Sequence, residues 1–217
     1  MNFLGHAAVA AWSATDPGWL FGAMVPDFAS MSGARRVVSG HPRVTAGIAH
    51  HHATDAVFHS APTFVALHDG GTRAMEARGV RRGPARAVSH IGTELLLDGL
   101  LVRAPETREA YLDALGLDDL RLSASSPEGE SRLAKLVGRL REIGIPDGYG
   151  EIDTVLERLH RTLRGRARLA FTDEERPAIT RWLAETQGRL ETEHPTLMSE
   201  VRDGLRSRAA NAEGPPE

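Results

Sequence analysis

The chain has 217 residues, of which 41% are hydrophobic and 25% charged, so it can bury a core and is not disordered throughout. Its 26 basic and 29 acidic residues give a net charge of −3, which disfavours bulk binding to nucleic acid. The absence of cysteine excludes disulfides, thiolate catalysis, zinc fingers and iron–sulfur clusters, and leaves histidine and oxygen atoms as metal ligands.

The sequence contains no run of about 18 apolar residues, so we expect no membrane span. The N-terminal segment lacks a basic region and carries His6 among apolar residues. We therefore interpret it as a folded helix rather than a signal peptide, and we expect a cytoplasmic protein. The sequence favours no particular oligomeric state.

Helical periodicity recurs along the whole chain, whereas alternation typical of strands is nearly absent, so the predicted fold class is all-α. We predict helices over 3–12, 19–24, 42 to about 60, 63–69, 84 to about 102, 106–115, 130–143, 151–164, 172–193 and 198–206. Breaks are expected at Pro26-Asp27, at Gly70-Gly71 and at His194-Pro195. Residues 1–205 are predicted to form a single helical domain, with a metal site in 1–102, a scaffold in 103–205 and a disordered tail in 206–217.

One stripe of possible ligands lies on the helix that starts at Pro42. His51 and Asp55 occupy positions on its apolar face, and His59 continues the same line one turn further. Because residues four apart are neighbours on a helix, His51 and Asp55 can present two ligands to one ion. The alternative is a His–Asp hydrogen bond buried in the core.

A second stripe repeats this spacing with His90, Glu94 and Asp98 on a mostly apolar helix. The two helices are predicted to converge on one or two metal ions, and imidazole with carboxylate suits Mn, Zn or Fe. The alternative is that this stripe is a solvent-exposed face held by charge pairs.

Asp27 follows Pro26, which is typical of a turn or an N-cap. The functional interpretation places Asp27 on a short loop, aimed at a metal together with His6. Three arginines, Arg81, Arg82 and Arg86, lie in a basic segment before the second stripe. They are candidates for binding a phosphate or an acidic partner, and the alternative is a solvated loop.

The N-terminal sequence Met-Asn-Phe-Leu-Gly-His, Asp27-Phe28, and Gly47-Ile48 with His51 and Asp55 resemble motifs of bacterial acyl carrier protein phosphodiesterases. An aspartate in a leucine-rich helix, here Asp98, also resembles that family. The resemblance implies an HD-domain-like helical bundle, a divalent metal that is manganese rather than zinc or iron, and acyl carrier protein as partner. It also implies release of 4′-phosphopantetheine and the following site residues: His6, Asp27, His51, Asp55 and Asp98.

A weaker similarity links the two His-carboxylate pairs to helical zinc-dependent phospholipase C and P1-type nucleases. The function expected from the sequence is therefore metal-dependent hydrolysis of a phosphodiester. His6, Asp27, His51, Asp55, His90 and Glu94 are the expected metal ligands, and Asp98 or Asp27 is the expected proton acceptor. The remaining alternatives are a different phosphodiester substrate and a helical scaffold without catalysis.

Overall fold

A computed structural model of the chain describes residues 1–118 and 120–213. Within these ranges the chain forms nine α-helices and a single pair of two-residue antiparallel strands. The elements are α1 (Phe3–Ala10), α2 (Pro17–Ser32), β1 (Val38–Ser39), α3 (Pro42–Phe58), α4 (Pro62–Glu76), α5 (Arg82–Leu101), α6 (Pro105–Leu115), β2 (Leu122–Ser123), α7 (Pro127–Ile143), α8 (Ile152–Leu163) and α9 (Arg176–Glu213). The all-α prediction is confirmed.

Helix starts follow local sequence signals. The Asp16 side chain accepts a hydrogen bond from the Trp19 amide at 2.9 Å and caps α2. Ser126 caps α7 in the same way, through the Gly129 amide at 3.1 Å. Proline also occupies the first turn of α2, α4, α6 and α7, where its missing N–H removes no helical hydrogen bond.

The described chain divides into two compact units, and the first contains residues 1–55 and 101–147. Aromatic packing dominates its core: the Phe28 ring lies 5.5 Å from Phe3 and 5.8 Å from Phe21, and Phe3 also stacks on Tyr111 at 5.8 Å. Helices α1, α2 and α6 pack together around these rings. This core fixes α1 against α2, which positions the residues discussed below.

The second unit contains residues 56–100 and the chain from residue 148 onward. Its core is mostly leucine, gathered around Trp182 from α9, with Leu67 of α4 and Leu96 of α5 among the fully buried members. Helix α9 packs along both α4 and α8. Helix α5 contributes leucines to this core and also carries buried polar side chains, namely Ser89, Thr93, Glu94 and Asp98.

Three expected helix breaks are wrong. Helix α2 continues through Pro26, although proline removes the hydrogen bond to the Gly22 carbonyl. Asp27 consequently lies inside a helix, neither on a short loop nor at an N-cap. Helix α4 continues through Gly70 and Gly71. A Cβ at Gly71 would lie 2.5 Å from Ser89 Oγ, so this glycine allows close packing and does not end the helix.

The third break was expected at His194-Pro195, where α9 also continues. This helix extends through Arg206 to Glu213, so that part of the expected tail is helical. The rest of the expected tail, residues 214–217, lies outside the described residues. Among the residues that the structure describes, no helix is long and apolar enough to cross a membrane.

Candidate metal centre

Three helices of the first unit bring imidazole and carboxylate groups together. Helix α1 contributes His6, α2 contributes Asp27, and α3 contributes His51 and Asp55. Ligand atoms of His6, Asp27 and His51 lie within 4.8 Å of one another, a spacing that fits a single metal ion. Asp55 contacts both histidines of this group.

The orientation of the His51 ring is set by a backbone oxygen. His51 Nδ1 lies 2.8 Å from the Ala23 carbonyl oxygen, which accepts hydrogen bonds only, so Nδ1 carries the proton. The other nitrogen, Nε2, lies 3.3 Å from Asp55 Oδ2. With Nδ1 protonated, Nε2 can donate to Asp55 only when the ring is an imidazolium, whereas in a neutral ring the Nε2 lone pair is available to a metal ion. A hydrogen-bonded Nδ1 with Nε2 facing the other ligand atoms is the arrangement of metal-binding histidines.

Asp55 is the carboxylate on which several positive or dipolar groups converge. Its Oδ1 lies 2.9 Å from the N-terminal ammonium of Met1 and 3.1 Å from His6 Nε2. Partial burial raises the pKa of Asp55, but the contacts with His51, His6 and the ammonium outweigh it, and the pKa falls below its ordinary value. Asp55 is therefore a carboxylate near neutral pH.

His6 is completely buried, and burial lowers its pKa to about 3, so its ring is neutral at pH 7. The ring stacks on His51 with centroids 3.8 Å apart. Neither ring nitrogen has a hydrogen bond of acceptable geometry within the described residues, although Nε2 approaches Asp55 closely. A buried imidazole in this condition is a group that a metal ion would satisfy.

Two glycines allow the Ala23 carbonyl to reach His51. A Cβ at Gly22 would lie 2.2 Å from the Val44 oxygen, and one at Gly47 would lie 2.2 Å from the Trp19 oxygen. The backbones of α2 and α3 therefore touch at this point, which only glycine permits. Since His51 follows Gly47 by four residues, it lies on the same face of α3.

A second group of ligand atoms lies in the second unit and consists of His59, His90 and Glu94. The Nε2 atoms of His59 and His90 lie 3.0 and 3.2 Å from the same Glu94 oxygen, Oε1. Burial raises the pKa of Glu94, but hydrogen bonds with the two histidines help to hold it below its ordinary value. Glu94 is buried, so the interpretation of this stripe as a solvent-exposed face is wrong for it.

Asp98 belongs to neither ligand group. Its side chain is fully buried in the second unit, and the Tyr149 hydroxyl donates to its Oδ2 at 3.4 Å. Arg158 in turn donates to the Tyr149 oxygen at 2.8 Å and lies over its ring. The solvent-face interpretation is wrong for Asp98 as well, and its catalytic role remains a prediction.

The three arginines proposed to bind phosphate differ in their surroundings. Arg81 donates to both oxygens of Glu175 through its side chain, at 3.0 and 2.8 Å, and also to the Ala170 carbonyl. Arg82 and Arg86 are exposed in the first turns of α5. The side chain of Arg81 is therefore held by the fold, and its contact with a ligand would require that ion pair to open.

Sequence reasoning missed several participants of the first group. The Met1 ammonium and the Ala23 carbonyl have no side-chain signature, so no residue pattern indicates them. The small residues Gly22 and Gly47 are a usable signal, because close helix contacts need them. His59 was identified as a continuation of the first stripe, but the structure places it with His90 and Glu94.

The fold and these groups define the chain as an all-helical protein with two histidine–carboxylate clusters suited to metal ions. Comparisons with protein-family models, curated proteins and solved structures give no match. The chemistry of the clusters therefore carries the functional argument.

Proposed function

We propose that this chain is a metal-dependent phosphodiester hydrolase whose metal ligands include His6, Asp27 and His51. The observation that carries the proposal is the orientation of His51, whose Nδ1 is held by the Ala23 carbonyl while Nε2 faces Asp55. A histidine that binds a metal through one ring nitrogen usually donates a hydrogen bond through the other, as His51 does to Ala23. When bound, a divalent ion lowers the pKa of a coordinated water and neutralises charge on phosphoryl oxygens.

The protein's own groups would have separate roles in this reaction. The neutral ring of His6 and the carboxylates of Asp27 and Asp55 supply the nitrogen and oxygen ligands that manganese, zinc or iron accepts. A carboxylate oxygen that does not hold the ion can accept a proton from water, and the second oxygen of Asp27 is our candidate within this group. Arg82 and Arg86, which are exposed on α5 in the second unit, are our candidates for binding a phosphate.

The substrate class rests on the resemblance to acyl carrier protein phosphodiesterases in an HD-domain-like bundle. It suggests manganese as the metal and phosphopantetheinyl carrier protein as the substrate. Nucleotide and lipid phosphodiesters are the alternative substrates, suggested by the His90–Glu94 pair, whose Nε2–Oε1 distance is 3.2 Å.

The test is hydrolysis of two substrates by metal-loaded protein, followed by mass spectrometry for the carrier protein and by absorbance for bis(p-nitrophenyl) phosphate. We expect His51→Gln to lower turnover by more than the roughly 10–100-fold that loss of an outer metal partner costs. The matched control is His52→Gln, since His52 is the exposed neighbour on the same helix and should retain full activity.

Cleavage of the chromogenic substrate without cleavage of the carrier protein would support the hydrolase activity and show that carrier protein is not the substrate. Absence of any phosphodiester cleavage with manganese, zinc and iron would contradict the proposal and leave a helical scaffold. Full activity of His51→Gln would also contradict it, because that side chain carries the argument.

A further inference from the structure

We propose that His59, His90 and Glu94 form a divalent metal site of their own, of the two-histidine, one-carboxylate class that also binds a water molecule. The sequence assigned His90 and Glu94 to the metal site of the hydrolase, but the structure places them with His59, apart from His6, Asp27 and His51. The proposal needs none of the residues of that first group, so it does not depend on the proposed function. It rests on the convergence of three side chains in the second unit.

The convergence is geometric. His90 and Glu94 are four residues apart on α5, whereas His59 lies just beyond the last residue of α3, Phe58. Both Nε2 atoms approach one oxygen, Glu94 Oε1, at 3.0 and 3.2 Å. The two rings have centroids 4.8 Å apart. Ligand atoms separated by about 3 Å are those that a single ion at about 2.0–2.2 Å from each would bridge.

The surroundings hold these rings in place. Phe64 of α4 packs against both histidines, with ring centroids 5.4 Å from each. His68 meets the edge of His90 at 5.8 Å, and its Nδ1 contacts Asp69 Oδ1. Because aromatic packing restricts the rings of His59 and His90, these side chains lose little conformational entropy when an ion binds.

Burial differs among the three ligands in a way that suits an open site. The Glu94 side chain is only 11% exposed, whereas the side chains of His59 and His90 are 34% and 40% exposed. The carboxylate thus lies at the base of the group and the imidazoles face water. Three protein ligands with an accessible side leave a coordination position for water, as in zinc sites of the His₂Glu type.

Zinc binding to the whole 217-residue chain, stripped of metal with a chelator, tests the site, with a chromophoric chelator as competitor. We expect His90→Gln and Glu94→Gln each to remove one bound equivalent, or to weaken it more than 100-fold. His52→Gln is the matched control, since His52 is an exposed histidine outside both ligand groups, and this variant should bind zinc normally. His51→Gln should also leave this equivalent in place, which separates this test from that of the hydrolase site.

A second measurement uses the wild-type protein, so its result does not depend on whether a variant folds. Both histidines are partly exposed, so diethylpyrocarbonate should modify them in the stripped protein, and zinc should protect both at least tenfold. The exposed His52 should react equally with and without zinc. Unchanged modification of His59 and His90, or an unchanged zinc equivalent in the His90→Gln variant, would overturn the proposal and leave a hydrogen-bonded triad.

Discussion

His51 Nδ1 donates a hydrogen bond to the Ala23 carbonyl oxygen at 2.8 Å, and this contact determines what the opposite nitrogen can do. With its proton on Nδ1, a neutral His51 offers an Nε2 lone pair to the interior of the first ligand group. His6 stacks on this ring, and Asp55 faces it at 3.3 Å. The packing of α2 on α3 therefore sets which nitrogen of His51 can bind a metal ion, through the hydrogen bond to Ala23.

The close approach of these two helices predicts the effect of one added methyl group. In the Gly47→Ala variant the new Cβ would lie 2.2 Å from the Trp19 oxygen, so α2 and α3 must separate. We expect a loss of about 1–3 kcal/mol of unfolding free energy, together with weaker metal binding, because His51 moves away from Ala23.

The matched control for that variant is Gly70→Ala, in the interior of α4. Nothing lies within 4 Å of a Cβ at Gly70, so this change should be neutral or stabilise by up to about 1 kcal/mol. Urea unfolding and metal titration measure both variants. Equal effects of the two substitutions would show that the helix contact does not position His51.

The burial of Asp98 predicts a structural effect where the sequence suggests a catalytic one. Its contact with Tyr149 at 3.4 Å leads us to expect that Asp98→Asn and Tyr149→Phe each lower the melting temperature. Their effects should be less than additive, because Tyr149→Phe removes and Asp98→Asn weakens the same contact. If Asp98→Asn abolished hydrolysis at unchanged melting temperature while Tyr149→Phe stayed active, the catalytic assignment would be correct.

The ion pair between Arg81 and Glu175 predicts a loss of stability in acid. Burial opposes ionisation of Glu175, but hydrogen bonds from Arg81 and the Thr172 amide lower its pKa to about 2, against an ordinary value of 4.5. The unfolded chain therefore binds this proton more readily, so the contribution is complete above about pH 4.5 and declines as the pH falls toward 2. Thermal unfolding between pH 2.5 and 6 measures this contribution of the Arg81–Glu175 ion pair to stability.

Glu175→Gln should flatten that part of the pH profile and cost about 1–3 kcal/mol at neutral pH, since it removes hydrogen bonds to a charged group. Glu185→Gln provides the comparison, because Glu185 pairs with Arg78 at 2.8 Å in a more exposed position. Glu185→Gln should lower the unfolding free energy by less than Glu175→Gln does, because solvent weakens an exposed ion pair. An unaltered pH profile in the Glu175 variant would contradict the assignment.

The exposed arginines of α5 predict an effect on substrate binding without one on stability. Arg86→Ala and Arg82→Ala should raise KM for an anionic substrate at unchanged melting temperature, because neither side chain is held as Arg81 is. Arg81→Ala should lower the melting temperature instead. Unchanged KM in the double Arg82/Arg86 variant, across a range of salt concentrations, would show that these residues do not bind the substrate.

Much of the helical architecture could be predicted from periodicity, because apolar spacing along α3 and α5 records which faces are buried. The errors fall at residues with strong local signals. Pro26 and Pro195 disfavour a helix locally, yet both lie inside one in the structure. Buried residues flank each proline, with Met24 and Phe28 around Pro26 and with Leu190 and Leu197 around Pro195, and their packing outweighs the local preference.

The candidate site was predictable where its residues are neighbours along one helix. His51 with Asp55, and His90 with Glu94, follow from four-residue spacing and are in contact. The pairing of His59 with Glu94 joins residues 35 positions apart, so it depends on tertiary packing rather than on spacing. The same holds for the contact between His6 and His51, which no local pattern encodes.

The most direct test of the central claim is metal content, measured by elemental mass spectrometry on protein purified without a histidine tag or a chelator. The wild-type protein should contain manganese, zinc or iron at about one ion for each of the two ligand groups, and the His51→Ala/Asp55→Ala double variant should lack the ion of the first group. The same variant should retain the equivalent assigned to His59, His90 and Glu94. A wild-type protein that stays empty after incubation with these ions would contradict the account.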